Sequence, residues 1–441
     1  MSEFGTNRIE PLTTLADGTL KQINPFTGTE VWTVPGRGNR PLKVPVRNPK
    51  PLVDDANDHT CAFCQQRYAD TPPEKSRIVR NGDEWMILRG LNFSQLYDTQ
   101  PAFRRIPNLF EIVSLAYWQD NYGFELNEHT RARMSAYQAE PEGRAHVDKI
   151  VDTRISASGR TKEAVTAVER AQMEQSYFAG GHDVIVGSRH FIDGATMDDE
   201  LCSAGDLSVD EHRAFIRLTI DSMFNLYSRI PYARYVAVFQ NWLAPAGASF
   251  EHLHKQMVAI DERGSLGGIE LDLARKNPNI YNEFGANYAA YHNLIIAEND
   301  HAVMIAGFGH RYPTVSIYSK SESCMPWEHT DSEVGDMSDL LHAAHAATGR
   351  LVPTNEEWHH RPMDVEVPSP WRINLKWRIS TLAGFEGGTK IYVNTLSPAD
   401  VRDRVVPRLY KLRDEGRISP DIRIATECSV APNKLNYVYS R

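Results

Sequence analysis

The 441-residue chain has no uninterrupted apolar run approaching the roughly 20 residues of a membrane-spanning helix. Its opening residues, Met1-Ser-Glu-Phe-Gly-Thr6, carry no apolar core of the kind a secretory signal needs. Cysteine is scarce and odd in number: there are five, and only Cys61 and Cys64 are close together. Such usage excludes a secreted disulfide framework and favours a cytoplasmic setting. Positive charge is also short. Lys and Arg total 48 against 57 Asp and Glu, for a net charge of −9. That balance argues against broad nucleic-acid or anionic-membrane binding, so an anionic ligand would need a local positive pocket. What remains is an ordinary globular composition, 41% hydrophobic and 24% charged. The length suits two domains or one large two-lobed one.

The most informative stretch runs from Phe239 to Asp261 and centres on His252-Leu253-His254-Lys255-Gln256. On a strand, alternate side chains share a face, so His252, His254 and Gln256 point one way and Leu253, Lys255 and Met257 the other. Gly247-Ala248-Ser249 just before it is a small-residue turn whose backbone N–H groups can approach a phosphate. A lone histidine is most often a hydrogen-bonded core or surface residue. Two imidazoles and a carboxamide behind Gly-Ala-Ser point instead to a nucleophile beside an anion cradle.

Thr60-Cys61-Ala-Phe-Cys64 is either half a zinc site or a redox pair. Its Pro- and Asp-rich surroundings do not suggest the βαβ setting of a redox pair, and a zinc site would draw two further ligands from distant histidines. Arg37 and Arg40 sit in a Gly/Pro-interrupted loop from which guanidinium groups reach phosphate oxygens.

The periodicity predicts helices over 127–140 and 161–177 and a strand over 183–187. The Ser208-Val-Asp-Glu211 capping box opens a helix to about Arg229. A strand over 235–239, a loop over 241–249 and a strand over 252–260 follow. The order returns as a strand over 314–319, a helix over 331–347 and a strand over 370–378, before a helix over 398–412 and a closing strand or tail from 433.

Taken together, Asn241, Ala246-Gly247-Ala248-Ser249 and His252, His254, Gln256 resemble the histidine-triad superfamily, and more closely its galactose-1-phosphate uridylyltransferase-like branch. The resemblance spans residues 22 to 412 and is most specific in the first half. It implies an α+β fold of two pseudo-repeated halves, each an antiparallel sheet with packed helices, here 1–270 and 271–441, the second degenerate. It implies one structural zinc held by Cys61, Cys64, His190 and His252. By the same resemblance His254 is the nucleophile, with Gln256 and Ser249 assisting, and Arg37, Arg40, Asn108, Asn241, Gly247 and Ala248 bind nucleotide. The branch's second half has a histidine pair where this chain has Asn374 and Lys376, and a lysine before Gly-Phe-Glu that is absent from Ile379 to Ala383.

A neutral imidazole attacking an α-phosphorus holds the nucleotide as a phosphoramidate. A third histidine could protonate a leaving group, whereas the carboxamide of Gln256 only hydrogen-bonds. The expected activity is therefore transfer of NMP from an NDP-sugar, or a similar diphosphate, to a phosphate or sugar-phosphate acceptor. Phosphorolysis of an NDP-sugar or dinucleoside polyphosphate is the alternative, and a non-catalytic nucleotide-binding protein, such as a zinc scaffold, the second. A homodimer is the expected assembly.

Overall fold

Ser208 sets the pattern for how local sequence places the elements. Its hydroxyl accepts the Glu211 N–H at 3.2 Å while the Glu211 carboxylate accepts the Ser208 N–H at 2.8 Å. This reciprocal cap, a device contributing about 1 kcal/mol, starts the helix Val209–Arg229. Phe215, Leu218, Met223 and Leu226 lie buried along it, and Phe215 stacks on Phe103 at 4.5 Å between ring centroids.

The structure is a computed structural model that describes residues 10–36 and 48–439. The chain forms two compact units that interleave along the sequence. One comprises Asn48–Asn241 and Ala248–Glu262; the other comprises the described residues up to 36, Trp242–Gly247 and those from Arg263 onward. A division near residue 270 follows chain order, whereas the compact units do not.

In the first unit six antiparallel strands lie in the order Tyr235–Trp242, His254–Ile260, His182–Gly187, Pro101–Pro107, Ser76–Asn81, Glu84–Arg89. Two buried ion groups brace this sheet. Glu74 binds Arg77 at 2.5 Å and Arg104 at 2.6 Å, and Asp183 binds Lys75 and Arg105, both at 2.6 Å. Burial opposes the Asp183 charge, but the Arg105 and Lys75 charges prevail and hold its carboxyl below the usual range.

The second unit repeats the order with Thr354–His359, Arg372–Trp377, Thr314–Ser319, Ala302–Gly307, Ile295–Glu298 and Arg423–Ile424. The helix Asp331–Thr348 stands here between its two strands as Val209–Arg229 does between His182–Gly187 and Tyr235–Trp242. The α+β fold with two antiparallel halves is thus the one expected. A smaller sheet joins Leu12–Thr14, Leu20–Ile23 and Glu30–Thr33, and Ile391–Asn394 adds to it in parallel.

Two expectations needed correction. The helix predicted over 161–177 runs from Ala167 to Ala179, because Thr166 and Glu169 form a capping box that begins it later. The predicted 127–140 helix, Glu128–Ala139, is followed by an unanticipated one, Pro141–Ala157. Of the strand or tail expected from 433, the described residues show a tail that ends in a short 3-10 turn, Asn436–Tyr439, pinned by the Tyr437 hydroxyl on the Pro278 carbonyl at 2.8 Å.

In the second unit the positions of the missing histidine pair are internally satisfied. Asn374 accepts from Ser316 at 2.7 Å, and Lys376 pairs with Glu357 at 2.6 Å. Gly309 lets the N-terminal hairpin close on this unit. It has φ +65°, and a Cβ there would lie 2.1 Å from the Asn24 nitrogen. Gly309→Ala is expected to cost about 2 kcal/mol or more through overpacking and left-handed backbone strain. Denaturant unfolding measures the loss, and limited proteolysis checks that the hairpin opens first.

Candidate active site and metal centre

The strand His254–Ile260 starts two residues later than predicted. Its last partner on the neighbouring strand is Val186, opposite His254, and Gly187 donates to the Leu253 carbonyl at 3.0 Å. His252 therefore stands just outside the ladder, with its ring turned to the Cys-x-x-Cys turn.

There Cys61, Cys64, His190 and His252 converge, with ligand atoms all within 4.8 Å of one another. The sulfurs are 3.8 Å apart; His252 Nδ1 is 3.5 Å from Cys61 Sγ and 3.9 Å from Cys64 Sγ, and His190 Nδ1 is 3.5 Å from Cys64 Sγ. Cys64, His190 and His252 are buried and Cys61 half-buried. Two Sγ and two Nδ1 atoms at these separations form a cage that can hold a metal ion. The supporting contacts fit that use. His252 Nε2–H donates to the Gly187 carbonyl at 2.7 Å, which leaves Nδ1 with its lone pair toward the cage. Asn57 accepts the N–H groups of His190 and Phe191, both at 2.9 Å, and so ties the His190 loop to the segment bearing the cysteines. A hydrogen bond from Cys61, with help from His190 and His252, pushes the Cys64 thiol down, while the same bond and burial push Cys61 up. A bound cation would favour the ionised form of both sulfurs.

His254 follows directly. Its Nδ1–H donates to the His252 carbonyl at 2.8 Å, so Nε2 carries the lone pair. Burial lowers its pKa and keeps the ring neutral, the form a nucleophile needs. Phe63, from the Cys-x-x-Cys turn, lies 5.7 Å from this ring and packs with Ile106, Val184 and Val186 as an apolar floor.

Gln256 lies on the same face. Its Oε1 accepts from His182 Nε2 at 3.1 Å and from Asn108 Nδ2 at 3.4 Å. Asn241 shares that face by strand alternation, since Phe239 pairs with Gln256. Ala248 is half-buried and Ser249 exposed, in the same unit as His254. Gly247 belongs to the other unit, has φ +89°, and donates its N–H to the Ala244 carbonyl at 2.9 Å. Arg37 and Arg40 lie outside the described residues.

Two residues escaped the sequence reading. His182 is buried on the strand beside Gln256, and only knowledge of the strand register places it there. Glu111 is buried next to Gly180, 3.5 Å from Arg154, and burial raises its carboxyl to about 7. The partner Arg154 sits on the helix that the sequence had not disclosed.

An ADP-glucose phosphorylase of Arabidopsis thaliana is 27% identical over 390 residues, covering 86% of this chain and 90% of that protein. The crystal structure of an ADP-glucose phosphorylase from Arabidopsis thaliana with bound ADP-glucose matches with a TM-score of 0.56 at 20% identity, over 88% of this chain and 98% of that one. A galt-like protein from the same plant matches with a TM-score of 0.55 at 19% identity and the same coverage. The fold is that of these two solved structures, and the likeness to them and to the ADP-glucose phosphorylase bears out the resemblance to the galactose-1-phosphate uridylyltransferase-like branch of the histidine-triad superfamily and the expectation of an enzyme of nucleotidyltransferase type. The family described as "Domain of unknown function (DUF4921)" matches residues 15–437, and the chain belongs to it. Among the described residues no helix is long and apolar enough to cross a membrane.

Two outcomes test the site. Elemental analysis after desalting is expected to give one divalent metal per chain. Cys64→Ser is expected to lower both that occupancy and the unfolding temperature; full occupancy in the variant would rule the cage out. Glu111 supplies a pH test. Its folded pKa of about 7 exceeds the roughly 4.3 of an unfolded glutamate, so the folded state binds the proton more tightly. Stability from this group is present at low pH and lost as pH rises from about 5 to about 7. In Glu111→Gln that decline is expected to flatten, as read from denaturation midpoints at the two ends of the window.

Proposed function

We propose that this enzyme transfers a nucleoside monophosphate from a nucleoside-diphosphate sugar to a phosphate acceptor through a covalent nucleotidyl-histidine at His254. The observation that carries the reading is the bond from His254 Nδ1–H to the His252 carbonyl, which aims a neutral Nε2 lone pair off the sheet face. In the first step Nε2 attacks the α-phosphorus, the P–N bond forms, and the P–O bond to the sugar phosphate breaks. The departing sugar phosphate leaves as a stable anion and needs no proton, which suits Gln256 in place of an acid. In the second step an acceptor phosphate oxygen attacks, the P–N bond breaks, and the imidazole is restored. Ser249 and the backbone of Ala248 are proposed to stabilise the charge on the phosphoryl oxygens, and Asn108, Asn241, Gly247, Arg37 and Arg40 to bind the nucleotide.

Inorganic phosphate is the proposed acceptor, which makes the reaction a phosphorolysis. The chain lacks the lysine that clamps a sugar phosphate in the branch, and its two nearest substitutes are engaged: Lys376 with Glu357 at 2.6 Å, Lys390 with the Gly387 carbonyl at 2.8 Å. A relative aligned over nine-tenths of its length being an ADP-glucose phosphorylase supports the same choice and makes ADP-glucose the first donor to try.

The metal is proposed to be zinc in a structural role. Bonds of about 2.3 Å to sulfur and about 2.0–2.1 Å to nitrogen give tetrahedral edges of about 3.8 Å between sulfurs and about 3.6 Å from sulfur to nitrogen. The cage shows 3.8 Å, and 3.5, 3.5 and 3.9 Å. All four positions are protein ligands, so the ion would anchor the strand that carries His254 and leave no open site for substrate.

Incubation with ADP-glucose and other NDP-sugars, without phosphate, is expected to add one nucleotidyl mass to the His254 peptide. Added phosphate should discharge it as NDP. His254→Ala is expected to form no adduct and to lose at least about 10⁴-fold in kcat. Tight nucleotide binding with no adduct from any donor would favour a binding protein instead.

A further inference from the structure

A carboxamide is polar in two opposite senses, and its two orientations differ only by exchanging oxygen for nitrogen. For Gln256 the choice matters: one orientation offers N–H donors to an anionic phosphoryl group, the other a carbonyl oxygen that repels it. The choice is made by groups that cannot themselves flip. The Ile112 backbone N–H donates to His182 Nδ1 at 3.1 Å. A backbone amide only donates, so Nδ1 is the acceptor and the proton of the neutral ring resides on Nε2. That Nε2–H faces Gln256 Oε1 at 3.1 Å. In the same turn the Phe110 backbone N–H donates to Asn108 Oδ1 at 2.8 Å, which points the Asn108 amide nitrogen to the same Gln256 oxygen at 3.4 Å. The two donor nitrogens stand side by side, 3.0 Å apart, and converge on one acceptor. Asn108 is itself tied down by its N–H on the His182 carbonyl at 2.8 Å.

We propose that the 108–112 turn sets the polarity of the active site: through His182 and Asn108 it locks Gln256 Oε1 inward, so that the Gln256 amide nitrogen is presented to the phosphoryl oxygens. His182 is thus a positioning residue that acts through Gln256. This rests on the proposed nucleotidyl transfer for its effect on rate, but not for the hydrogen-bond directions themselves. Burial of His182 keeps its ring neutral, as the relay requires.

Two measurements on the full chain test it. The first needs no activity: long-range ¹H–¹⁵N correlation of the histidine rings is expected to show His182 as the Nε2–H tautomer in the resting protein. An Nδ1–H tautomer overturns the relay. The second is a double-mutant cycle on donor turnover. Loss of an oxyanion donor costs about 10²–10³-fold, which is the expectation for Gln256→Ala, and loss of its orientation in His182→Phe is expected to cost less, about 10–100-fold in kcat with little change in donor KM. His182→Gln, which keeps a donor toward Gln256, is expected to recover most of that loss. In the Gln256→Ala background His182→Phe is expected to cost little more. Independent, multiplicative losses would mean that His182 supports only the fold and would overturn the proposal. Absence of turnover in the wild-type chain would strike the nucleotidyl-transfer reading alone, and the tautomer would still decide the relay.

Discussion

Everything at the site depends on where His252 is held, because this residue serves two neighbours with two different groups. Its imidazole closes the Cys61, Cys64, His190 cage, and its carbonyl receives the His254 ring proton at 2.8 Å. A shift of the cage therefore turns the His254 ring as well. The restraint is passed on by short covalent steps, not by long-range packing, so little motion is lost between the metal-binding group and the reacting nitrogen.

The opposite faces of the same strand divide the work. Lys255 is buried with its ammonium 4.9 Å from the centre of the Phe215 ring, and so faces the Val209–Arg229 helix. His254 and Gln256 look the other way, over Ile106, Val184 and Val186. Helix packing fixes one face firmly enough for the other to carry polar groups in defined orientations, as a pre-organised site requires.

Much of this was legible in the sequence because the informative residues are close together. His-x-His-x-Gln, Cys-x-x-Cys and the Ser208 capping box each lie within a few positions, where the period of a strand or the turn of a helix determines geometry. The joining of Cys61 and Cys64 to His190 and His252 came from resemblance, and the structure brings all four together. His182 and Glu111 were hidden for a different reason. Their partners, Gln256 and Arg154, are distant in the chain, and only strand register and tertiary packing bring them together. The strands Ser76–Asn81 to Pro101–Pro107 and the helix Pro141–Ala157 went unnoticed, as weakly patterned segments whose placement is decided by tertiary contacts. In the Gly247 turn the sequence showed the small residues but not that the Gly247 N–H closes the turn on the Ala244 carbonyl.

The parallel pairing of Glu30–Thr33 with Ile391–Asn394 has a consequence in time. A ribosome adding about 5–20 residues per second needs roughly 20–70 seconds to travel from one partner to the other. For the later part of that interval the unit built from Asn48–Asn241 and Ala248–Glu262 has all its strands available, while the Glu30–Thr33 strand still has an unpaired edge. The edge of Glu30–Thr33 is thus closed late, and the nascent chain carries an open strand edge until Ile391–Asn394 has been made.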